Sequence, residues 1–79
     1  TMKERYLKVI RIFEDRFGRD RAADVQRRAD EARDRIWQDQ EHVLQWLPAR
    51  KQTETLETLL QSTYAALTAE MEEALAKDA

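Results

Sequence analysis

Gly18 and Pro48 are the chain's only glycine and only proline, so the residues between them contain neither helix breaker. A charged stretch of that length, rich in Ala, Arg, Asp, Glu and Gln, is made of helix formers and is poor in the β-branched and aromatic residues that strands prefer. From Ala22 to Leu47 it reads as one long amphipathic helix. Ala22, Val25, Ala29, Ala32, Ile36, Asp39, Val43 and Trp46 follow a four–three rhythm, a heptad seam in which Asp39 is the single polar residue. Its first half is small and charged, and its last turns carry Trp37, Val43, Leu44, Trp46 and Leu47. Asp24 with Arg28, Arg27 with Glu31 and Glu31 with Arg35 stand at i,i+4 and mark the solvated side, at roughly 0.2–0.5 kcal/mol for each pair.

Two further helices are expected around it. Met2, Tyr6, Val9, Ile10, Phe13 and Phe17 share one face of a first helix over 2–17, with Leu7 and Ile12 on its shoulders. At about 100° per residue that stripe lies roughly 130° from the stripe of the second helix, so one continuous helix would bury only one of them. A turn at 18–20 resolves this, with Gly18 free to take positive φ and Asp20 as an N-cap for a helix over 20–47. Pro48 biases Leu47 out of the α region and ends that helix, and Ala49, Arg50, Lys51 and Gln52 read as a loop. The third helix is expected from Thr53, as cap, to Lys77, with Leu56, Leu59, Leu60, Thr63, Tyr64, Leu67, Met71, Ala74 and Leu75 on its face. The fold class is therefore all-α: a single domain over 1–79, a three-helix antiparallel bundle with a long hairpin of helices 2 and 3.

Seventy-nine residues support one small core, which at this size needs disulfides, a metal, oligomerisation or very regular helix packing. Cysteine is absent, which removes disulfides and thiolate metal sites. No apolar run approaches the roughly 18–20 residues of a membrane span, and the first residues lack the apolar region of a signal peptide, so no membrane partner and a cytoplasmic location are expected.

Catalytic chemistry finds little to stand on. The chain has one His, no Gly-rich phosphate loop and no Ser with an evident base, so no enzyme and no cofactor are expected. Asp39 and His42 have the i,i+3 spacing of a carboxylate and imidazole sharing a metal, but a di-metal site would require a second His from another copy. Arg16, Arg19, Arg21, Arg27, Arg28, Arg33 and Arg35 suggest nucleic acid, and a small regulator contacting it through the Arg-rich half of helix 2 is the alternative reading. Residues 14–35 hold seven arginines against seven carboxylates, Glu14, Asp15, Asp20, Asp24, Asp30, Glu31 and Asp34, which disfavours that alternative.

Helix lengths point instead to a protein partner. At 1.5 Å per residue the three helices measure roughly 24, 40 and 37 Å, so the first covers only the Ala-rich half of the second. The end of the third helix closes the group, bringing Glu70, Glu72 and Glu73 beside the early arginines. A two-helix overhang of roughly 15 Å is left, with Trp37, Val43, Leu44, Trp46 and Leu47 facing Leu56, Leu59 and Leu60. Such an end exceeds the apolar patch of a few hundred Å² that monomers expose. The expected function is a non-catalytic protein–protein interaction module that binds itself as a homodimer, or another helical protein, through these residues.

Overall fold

A computed structural model describes residues 1–78; Ala79, the last residue of the expected domain, lies outside the described residues. Among the described residues the structure is all-helical, with α1 at Met2–Phe17, α2 at Arg19–Leu44, α3 at Ala49–Leu59 and α4 at Gln61–Lys77. The first helix has the expected bounds, and a device not anticipated from the sequence starts it. Thr1 and Glu4 form a capping box, the Thr1 hydroxyl accepting from the Glu4 amide while the Glu4 side chain reaches back to the first residue.

The break between α1 and α2 is Gly18 alone, at φ 97° and ψ 166°, a region of backbone space that residues with a Cβ avoid. Helix α2 therefore begins at Arg19, and Asp20 lies in its first turn without capping it. At the other end α2 stops at Leu44, three residues short of the expected Leu47. The last turn tightens, the Trp46 amide donating to the Val43 carbonyl and the Leu47 amide to that of Leu44.

The expected loop after Pro48 is helical. Pro48 is the N-cap of α3, and Ala49, Arg50, Lys51 and Gln52 form its first turn, as four good helix formers behind a proline can. Thr53 is no cap; its hydroxyl donates back to the Ala49 carbonyl. The third expected helix is also interrupted, at Leu60, whose ψ of −5° departs from the helical value. The described chain thus has four helices in place of three.

Side-chain pairs give the topology. The Met2 amide donates to Gln61, Lys3 pairs with Glu57 and Arg16 with Asp78, so α1 and α4 run in the same direction while α2 runs against both. The most extensive packing is α1 on α4, not α1 on α2. Size accounts for this, because α2 offers Ala22 and Ala29 to the core while α1 and α4 bring Tyr6, Phe13, Tyr64, Leu67 and Met71. The Tyr6 and Tyr64 rings meet at 5.0 Å in a tilted pair. Of the three acidic residues expected beside the arginines of α2, Glu70 binds Arg28, whereas Glu72 binds Arg5 of α1 and Glu73 binds Lys77 of its own helix. The molecule is elongated, 47 × 22 × 16 Å.

Candidate partner-binding end

The buried side of α2 rotates along its length. Ala22, Val25 and Ala29 are buried near one direction of the helix, whereas the next fully buried residue, Leu44, sits roughly 70° around the cylinder at 100° per residue. The ordinary drift of a straight helix against a heptad repeat, roughly 20° per heptad, runs the other way and carries Asp39, Val43 and Trp46 away from the side on which Leu44 is buried. The change of buried side coincides with the interruption at Leu60, across which the packing against α2 passes from α4 to α3. Gln52 fastens that arrangement: its amide donates at 3.0 Å to the Leu44 carbonyl, which also accepts from the Leu47 amide, and at 3.1 Å to the Leu47 carbonyl past the end of α2.

The consequence is a seam that outlasts its cover. Ala22, Val25, Ala29, Ala32 and Ile36 are buried or packed against the core. Past Ile36 the same four–three positions emerge: Asp39 is exposed, Val43 is 51% exposed and Trp46 is 81% exposed. Leu59, on the facing α3, is 43% exposed. Trp37, Leu47 and Leu56 are half-buried. Leu44 and Leu60, which sequence reasoning placed on the binding surface, are enclosed at 1% and 0% exposure, so they support the hairpin from within. The structure therefore brings Val43 and Trp46 together on an open stripe, with Leu59 on the facing helix, and withdraws Leu44 and Leu60 from it.

Gln52 is the residue at this end that sequence reasoning missed. A glutamine behind two basic residues carries no signal of its own; its role depends on chain reversal at Pro48, which brings its amide under two carbonyls.

The remaining candidates are dispersed or compensated. Asp39 and His42 are both exposed, and among the described residues no three His, Asp or Glu side chains converge. Arg16, Arg27 and Arg28 are paired with carboxylates, and Arg21 lies over the Phe17 ring at 4.3 Å and the Phe13 ring at 5.4 Å. Hydrogen bonding to Arg27 holds the Asp24 carboxyl below its ordinary range, as a committed ion pair should. A groove of about 380 Å³ between α2 and α4, over Phe13, is rimmed by Asp20, Asp24, Arg28 and Glu70, with both signs of charge and the Arg28–Glu70 pair already closed. Among the described residues no helix is long and apolar enough to cross a membrane. The chain matches no family model, no curated protein and no solved structure.

Proposed function

We propose that this protein is a non-catalytic interaction module that docks a helical partner, a second copy of itself or another protein, through the open end of the α2/α3 hairpin. One observation carries the reading: Trp46, the largest apolar side chain available, stands 81% exposed at the end of a seam whose first five positions, Ala22 to Ile36, are buried or packed against the core. A Trp that finds cover removes roughly 150–250 Å² from water, about 4–6 kcal/mol at 25 cal/mol per Å² before the costs of association. Left bare, it has no structural use in the folded chain. Tryptophan is also the residue type most often found to dominate interface energies.

The test is replacement of Val43 and Trp46 by Glu. Both side chains are exposed, so helix content by circular dichroism should stay within error of the parent. Sedimentation over a wide concentration range should show association in the parent and its loss in the double variant. A variant that associates as the parent does would sink the reading.

A further inference from the structure

The open stripe has the features of a surface made to meet its own copy. Residues 14–35 carry fourteen charged side chains, whereas the thirteen residues 36–48 carry two, Asp39 and Glu41. The open half of α2 is flanked instead by Gln38, Gln40 and Gln45, all exposed, so Asp39 and Glu41 are the only acidic groups, with no Lys or Arg, that this stretch brings to a second copy. Charge-poor, Trp-bearing surface is the composition of an interface core. The stripe is also continuous with an interface inside the molecule: its front half already packs antiparallel against α4 through the same heptad positions, so an antiparallel helix with apolar residues at that spacing is what its open half fits. In a second copy the last two turns of α2, with the tightened turn that follows them, offer Val43 and Trp46 at that spacing.

Asp39 selects the orientation. In a parallel, in-register pair two Asp39 carboxylates would face each other on the seam, like charges brought together as water is excluded. In an antiparallel pair with its two-fold near Val43, Asp39 of each copy faces Trp46 of the other. The indole N–H is a donor without acceptor capacity and the carboxylate an acceptor without a donor, so each residue supplies what the other lacks. The contact is isologous and forms twice.

We propose that two copies of this chain pair antiparallel through the open seam of α2, with Val43 near the two-fold axis and Trp46 of each copy over Asp39 of the other. The proposal rests on the docking reading above and names its occupant. Because the chain has no cysteine, Arg35→Cys accepts a single spin label on an exposed position beside the stripe. Two labels in the antiparallel dimer should lie beyond about 20 Å apart, given seven to eight residues to the axis on each side at 1.5 Å per residue. Near 10 Å, the usual interhelical distance, is what a parallel pair produces, and that result overturns the proposal. Trp46→Ala should weaken the dimer at least about 30-fold, the effect of losing an interface anchor. A chain that stays monomeric at millimolar concentration also overturns the pairing, leaving the docking reading to a different helical protein. A dimer indifferent to Trp46→Glu overturns both.

Discussion

Tyr6 is the residue whose chemistry the fold alters most. It is buried against Tyr64, and its hydroxyl donates to the Gln26 side chain at 3.0 Å. Burial, with smaller contributions from Tyr64 and Asp30, pushes its pKa from 10.0 up to about 12. The neutral form is thus held in the folded state while the unfolded chain ionises near pH 10, so the folded state retains the proton through that window. Stability is full below pH 10 and falls as pH rises toward 12, with a limiting slope of about 1.4 kcal/mol per pH unit. Denaturant titrations between pH 9 and 12 should show this fall, and Tyr6→Phe, which removes the phenol at that position, should make it shallower. Parent and Tyr6→Phe curves that fall in parallel would contradict the assignment. Thr68 is the companion polar group in the core, buried in α4, and among the described residues its hydroxyl has no hydrogen-bond partner.

Among the elements, the α1–α2 junction is the most economical. A single residue redirects the chain between two helices, and it does so at φ 97° and ψ 166°. A Cβ built on Gly18 meets nothing within 4 Å, so space does not exclude a side chain and the backbone alone does. Gly18→Ala should therefore cost roughly 1–3 kcal/mol, the usual penalty for a non-glycine residue held in that region. Equilibrium denaturation measures it, and a neutral substitution would show that the junction can relax. The α2–α3 junction is stiffened differently. Pro48 supplies the cap and Gln52 occupies the carbonyls of Leu44 and Leu47, so the hairpin end that carries Trp46 is tied on both sides.

At the scale of the molecule, four ion pairs among the described residues join different helices or a helix and the cap of another: Lys3–Glu57, Arg5–Glu72, Arg16–Asp78 and Arg28–Glu70. All are at least one-third exposed, and pairs of that kind contribute little. Raising salt to about 1 M should therefore move the unfolding free energy of the monomer by less than about 2 kcal/mol, measured by urea titration in rising NaCl. A larger loss would mean that charge, not the apolar core, holds the helices together. The dimerisation proposed through the α2 stripe should persist in high salt, because residues 36–48 carry only two charged side chains, Asp39 and Glu41.

Much of this architecture could be read from residue order alone. Periodicity and the absence of Gly and Pro dictate the helices, the bounds of α1 match, and the redirection at Gly18 follows from the mismatch of two stripes. Those are local properties, set by side-chain spacing and backbone sterics within a few residues. The helical turn at 49–52 was legible too, in four strong helix formers behind a proline, had propensity been weighed above the expectation of a loop. The interruption at Leu60 had no such signal, since Leu56, Leu59, Leu60 and Thr63 read as an unbroken stripe. Tertiary packing also decided which apolar residues of the hairpin are enclosed. Leu44 and Leu60 vanish into the interior, while Val43 and Trp46 stay on the surface, because exposure depends on which flank of α2 the returning chain follows. Spacing along one helix places a residue on a face; only the position of the neighbouring helix determines whether that face meets protein or water.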